Sequence, residues 1–208
     1  MIEEQLRRYL PVFNDKNEVE DFYSGIEEIV KTGKLAADNF YEVYGTAKEP
    51  VLDQGDCIKD MPIFNLPHPQ YKAGDGFILS NVCDVSEGNV RTDGVRILYA
   101  PVLNFEKYIE SLKERGLYNR DKEQAIRQQK VTNVVFLPKH GNLGSDSFVP
   151  LDQICSIPRE MLRTNEILER RIFQLSRVAW YLLLMKITHH FARVNNELFD
   201  NRSPAKNP

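Results

Sequence analysis

The sequence predicts an α+β chain in which a small β-rich domain carries helices at both ends and a helical insertion in its middle. Three observations support this. Apolar residues recur every three or four positions in the first 46 residues; from Gln54 the texture changes to short apolar stretches broken by Gly, Pro and Asp; after Pro158 a long apolar-centred run returns to helical spacing. A chain of 208 residues can bury one main core, and hydrophobic and charged shares of 42% and 27% belong to a folded globular protein.

The N-terminal segment, residues 1–50, reads as helical because Val19, Phe22, Tyr23, Ile26, Ile29 and Val30 fall on one face. Asn17 with Glu20 three residues later resembles a capping box, and Gly33 is the expected stop. A second short helix is expected over Leu35–Tyr44, ending at Gly45, with Pro50 opening a linker. The β-rich domain, 51–162, should hold strands over Asp56–Phe64, Gly76–Asn81, Val95–Val102, Thr132–Leu137 and Ser147–Leu151. Its insertion, 104–130, reads as two short helices around Gly116. A long helix is expected from about Asn165 to about Leu198, within a segment 163–200, and a frayed tail over 201–208. Its centre, VAWYLLLMKI, is apolar nearly all round and should be buried.

Composition narrows the function classes. The net charge of −3 gives no global attraction to nucleic acid, so RNA or DNA would need a local patch. The charge is uneven: residues 1–53 hold 12 Asp or Glu against 6 Lys or Arg. Cysteines 57, 83 and 155 are odd in number and form no CxxC pair, which predicts neither a disulfide framework nor a zinc site. The start MIEEQLRRYL lacks the pattern of a secretory signal, and the longest apolar run, Val178–Met185, falls far short of the roughly 20 residues of a membrane span. A cytoplasmic protein with no membrane partner is the expectation.

Four phrases in order organise the middle of the chain: "QGDCIKDMPIF", "GFILSNVCDV", "VRILYAPV" and "SFVPLDQICSIPREML". Together they resemble the MazF and PemK toxin family over roughly residues 54–162. The most specific match is the last, where a strand ending in a Leu-x-Gln-Ile phrase precedes a short turn and a helix start. The resemblance implies an SH3-like barrel, often dimeric, that cleaves single-stranded RNA without a metal and needs no cofactor. In the family an Arg-Pro at the start of the second strand and a Thr or Ser after the third carry much of that cleavage. Here those places fall at Gly74 and Asp75, and at about Leu103 and Asn104. Neither motif side chain is present, and the nearest cation, Lys72, does not reproduce the bidentate grip of a guanidinium on phosphate.

Candidate site residues follow. Asn81, Cys83 and Asp84 close the strand phrase GFILSN. Cys83 would need a base such as His68 or His140 to act as a nucleophile, and the adjacent Asp84 opposes thiolate formation. The plainer expectation is a small buried Cys at a strand end, with Asn81 and Asp84 closing a turn by bonds to the backbone. Lys139 and His140 lie in the Gly-rich loop LPKHGNLGSDS, a setting where binding residues often sit, although a solvated hairpin is the simpler expectation. His189 and His190 are adjacent and lack the spacing that would put two ligands on one metal. Acids interleave the cations of the insertion, so the better basic patch is Arg163, Arg170, Arg171 and Arg177 at the start of the final helix.

These readings predict a divergent toxin-like barrel protein that acts as a non-catalytic RNA- or protein-binding component of a bacterial toxin–antitoxin or phage-defence system. Asn81, Lys139, Arg163, Arg170 and Arg171 would contact nucleic acid, and an antitoxin or defence-complex protein is the alternative partner, in a homo- or hetero-oligomer. The competing reading is an active, metal-independent endoribonuclease whose acid–base work has moved to Asp84, His140 or Lys72. A third is a Cys-dependent hydrolase centred on Cys83.

Overall fold

The computed structural model describes residues 20, 23–25, 27–28, 37–42, 52–64, 67, 71–86, 88, 92, 94–162, 166 and 169–192. Asn17, Gly33, Gly45, Pro50, His68, Arg163 and the expected tail lie outside them, as does most of the expected first helix, of which residues 20, 23–25 and 27–28 are helical. Labelled in chain order, the elements are α1 (Ala37–Phe40), β1 (Cys57–Phe64), β2 (Tyr71–Ile78), α2 (Val82–Val85), β3 (Arg96–Pro101), β4 (Leu103–Asn104), α3 (Phe105–Glu114), α4 (Arg120–Arg127), β5 (Val134–Leu137), β6 (Ser147–Pro150), β7 (Cys155–Pro158), β8 (Arg171–Phe173) and α5 (Arg177–Ala192). The chain is mixed α+β, with a five-stranded sheet in the order β7-β3-β2-β1-β8 and a three-stranded sheet β4-β6-β5. All neighbouring strands are antiparallel, and no closed barrel is seen.

Alternation along the strands builds a core on each face of the larger sheet. Cys57, Phe77, Leu79, Ala100 and Phe173 pack with Val135, Leu137 and Val149 of the smaller sheet and with Leu151 just after it, with Ala179, Leu182 and Leu183 of α5 closing this layer. Ile58, Met61, Ile78, Ile97, Tyr99, Cys155 and Ile157 fill the opposite face. The register of β1 on β2 shifts between Ile58 and Met61, and Asp60 takes up the bulge at φ 57°. Gly76 lies where this strand presses on its neighbours: a Cβ there would come within 2.6 Å of Met61.

The insertion forms as expected. Asn104 and Asn119 cap α3 and α4 by accepting from the amides of Lys107 and Lys122, and Gly116 turns between them at φ 67°. Phe105, Ile109 and Ile126 join Phe136 and Phe148 in a third core. Arg127 rivets this unit, stacking 4.7 Å over Phe105 while pairing with Glu123 and Asp146.

Two expectations are corrected. "CSIP" is not a turn but β7, because Cys155 and Ile157 alternate into the second core while the strand pairs with residues 96–99 of β3. The long final helix does not run from Asn165. Residues 166, 169 and 170 are helical, but Arg171–Phe173 are β8, and α5 starts only at Arg177. Tertiary burial overrides the helical spacing there: Ile172 and Phe173 enter the main core, and Phe173 pairs with Cys57. Ser176 then restarts the helix by accepting from the amide of Ala179 at 3.2 Å. Among the described residues, no helix is long and apolar enough to cross a membrane.

Candidate functional site

The strand exit proposed as a site is a closed capping turn. Asn81 Oδ1 accepts from the amide of Asp84 at 2.9 Å, and Asn81 Nδ2 donates to Asp84 Oδ2 at 3.1 Å. The first of these is the side-chain N-cap bond that starts a helix, here the single turn of α2. Asn81 and Asp84 therefore close a turn as expected, but Cys83 is exposed rather than buried. Lys72 is exposed in β2 opposite Ile63, six residues before the end of the strand, which places it about 20 Å from that end along extended backbone.

His140 belongs to a third place. It pairs with Leu143 in a tight hairpin turned by Gly141 at φ 49°, and its ring stacks on Tyr41 at 5.2 Å. Tyr41 in turn donates to Pro138 O at 2.7 Å, and burial pushes its hydroxyl far above the usual range. Lys139 is exposed, and its amide donates to Asp146 Oδ1 at 2.9 Å. The three acid–base candidates, Asp84, His140 and Lys72, thus sit in three separate local structures.

The arginines expected to face nucleic acid are drawn inward. Arg170 donates to the carbonyls of Lys59 and Asp60, gripping the backbone of the β1 bulge. Arg171 is only 6% exposed and its guanidinium lies 2.9 Å from Asp56 Oδ2, so this side chain cannot lie on a surface patch. Arg163 is outside the described residues.

Sequence reasoning missed the constellation that Arg171 completes. Gly55 turns at φ 94° in a space where a Cβ would come within 2.6 Å of Leu175, and this turn brings Asp53 and Asp56 together. Asp56 Oδ2 accepts from the amide of Asp53 and from Arg171, each at 2.9 Å. Gln174 donates to Asp53 at 2.9 Å; Gln54 donates to Leu79 O at 2.7 Å and accepts from the indole of Trp180 at 3.2 Å. These bonds knot the 53–56 turn, β2, β8 and α5 together. Asp56 is fully buried, and its Oδ1 has no hydrogen-bond partner among the described residues. Burial pushes Asp56 up to about 7 against the opposing pull of Arg171, and it also raises the half-buried Asp53. A third carboxylate, Asp75, is raised by burial beside Lys59 and Asp60, and it helps burial hold the Cys57 thiol well above its ordinary value. Asp56 and Cys57 are thus sealed from substrate, and the arrangement suits holding segments together rather than acid–base exchange.

No family model matches this chain, and no curated protein matches it by sequence. Among the described residues, no group of three or more His, Cys, Asp or Glu side chains could hold a metal ion.

Proposed function

We propose that the chain is a divergent, toxin-like binding module with an SH3-like β core of the MazF and PemK kind, working without catalysis in a toxin–antitoxin or phage-defence assembly. The observation that carries this reading is at Gly74 and Asp75. In the middle of β2, where the resemblance calls for Arg-Pro, positions 74 and 75 carry no cationic side chain, and the half-buried carboxylate of Asp75 already has Lys59 as a neighbour, with Asp60 opposing it. A site that must stabilise developing charge on phosphate needs a positive group there, and Asp75 supplies the opposite sign. The dispersal of Asp84, His140 and Lys72 supports the same reading.

A protein partner is favoured over RNA. Four cations that would otherwise feed a phosphate-binding surface are engaged within the fold: Arg127 with Asp146, Arg170 with backbone carbonyls, Arg171 with Asp56 and Lys186 with backbone carbonyls. The test is affinity purification of the full chain from its native cells, with and without nuclease treatment, followed by identification of stoichiometric partners. A protein partner retained after nuclease digestion is expected. Co-purifying RNA whose removal strips the complex would contradict it.

A further inference from the structure

α5 is apolar nearly all round, yet it is buried on one side only. Ala179, Leu182, Leu183 and Lys186 face inward. The other side carries Tyr181, Leu184, Thr188 and Phe191 at spacings of three, four and three, with Met185 beside them. Met185 and Phe191 are 51% and 56% exposed, Thr188 is exposed, and Tyr181 and Leu184 are half-buried. Lys186, the one fixed charge between Tyr181 and Phe191, lies on the inner face, where its Nζ donates to the carbonyls of Gln129, Val131 and Val134. Gly25 lies against Val178, to one side of the stripe, so closely that a Cβ there would come within 2.8 Å of the valine.

Two sheet edges are closed to strand addition. On β7, Pro158 lacks an N–H, and Arg96 Nη2 donates to Ser156 O at 2.8 Å. On β5, the side-chain amide of Gln129 donates to Phe136 O at 2.6 Å and accepts from Phe136 N at 3.1 Å. An added strand would have to break these bonds.

We propose that the outer stripe of α5 is a self-association surface, on which a second copy of the chain docks its own α5 antiparallel about a two-fold axis. The stripe is its own complement. In antiparallel heptad layers Tyr181 meets Phe191 of the second copy and Leu184 meets its Thr188, and the two-fold axis repeats both contacts. Aromatic rings meet in the outer layers, and a small residue faces a large one in the inner layers. The helix dipoles oppose one another and no charge is buried, so the surface calls for a neutral, apolar occupant rather than a charged one. From their exposure the five side chains offer roughly 400 Å² per copy, against about 800 Å² in a standard interface, so the dimer forms reversibly.

Sedimentation velocity of the full chain from about 1 to 200 µM tests this surface. The sedimentation coefficient should rise from the monomer value toward that of a dimer. Met185→Glu should raise the dissociation constant about tenfold or more, whereas Met161→Glu, at a similarly exposed site elsewhere, should leave it unchanged. In a Cys83→Ser background, chains carrying Leu184→Cys mixed with chains carrying Thr188→Cys should form an interchain disulfide in higher yield than either alone. A monomer throughout the range, whether or not a different protein covers α5 in complexes from native cells, would overturn the proposal. So would a dimer that ignores Met185→Glu and gives no mixed cross-link.

Discussion

The Asn81–Asp84 turn and the Asp53–Asp56–Arg171 knot are both built of polar residues beside β1 and β2, yet they are opposite in construction. The turn closes within four residues at the surface, and each partner satisfies the other. The knot joins side chains as far apart as Trp180 and Gln54, 126 residues away in sequence, and seals a charge pair from solvent. Local polar bonding of the first kind starts a helix turn and can be exchanged for water. Bonding of the second kind has no such alternative, because a broken partner leaves a buried charge behind.

The largest effect should follow from breaking the knot. Arg171→Met is expected to lower stability by about 3–5 kcal/mol, the usual outcome of stranding one member of a buried pair, measured from urea denaturation midpoints. A loss of under about 1 kcal/mol would mean that the pair is no better than a surface contact.

The pH dependence of the buried groups comes next. The folded value of Asp56, about 7, lies above its ordinary 3.8, so its contribution is full below the lower value and lost as pH rises through the higher. Lys186 is depressed from 10.5 to about 7, so its contribution is present above the higher value and lost as pH falls through the lower. The two together place a stability minimum near neutrality. Asp56→Asn should flatten the acid side of that profile and Lys186→Met the alkaline side. Trp180, the single tryptophan, hydrogen-bonds to Gln54 within the knot, so its emission gives a convenient readout.

The turn should be the most tolerant. Asn81→Ala is expected to cost about 1 kcal/mol, the value of one N-cap, and Cys83→Ser at the exposed thiol should stay within about 0.5 kcal/mol of the wild type. If Asn81→Ala destabilised the protein as much as Arg171→Met, the contrast between the two regions would collapse.

The insertion is legible as two short helices around Gly116 within 104–130, and their physical basis is Phe105, Ile109 and Ile126 on the buried faces with Asn104 and Asn119 as caps. Residues 170–173, Arg-Arg-Ile-Phe, carry no local strand signal and continue a helical spacing; only the docking of Phe173 against Cys57 and Phe77 makes 171–173 a strand. The turn at Asn81 was legible for the same reason that it is local. The knot was not, since "QGD" carries no sign that an arginine over a hundred residues later will meet its aspartate. Lys186 did carry a signal: a single lysine inside an apolar helix marks a cation that must find buried partners.

The central claim is that this chain keeps a toxin-like core without the cleavage chemistry. The most direct measurement is incubation of the purified full chain with single-stranded RNA, followed by detection of new termini bearing cyclic phosphate. The account predicts none at any enzyme concentration. Cyclic-phosphate ends that appear with the wild type and vanish in Asp84→Ala or His140→Ala would contradict it and establish a relocated active site.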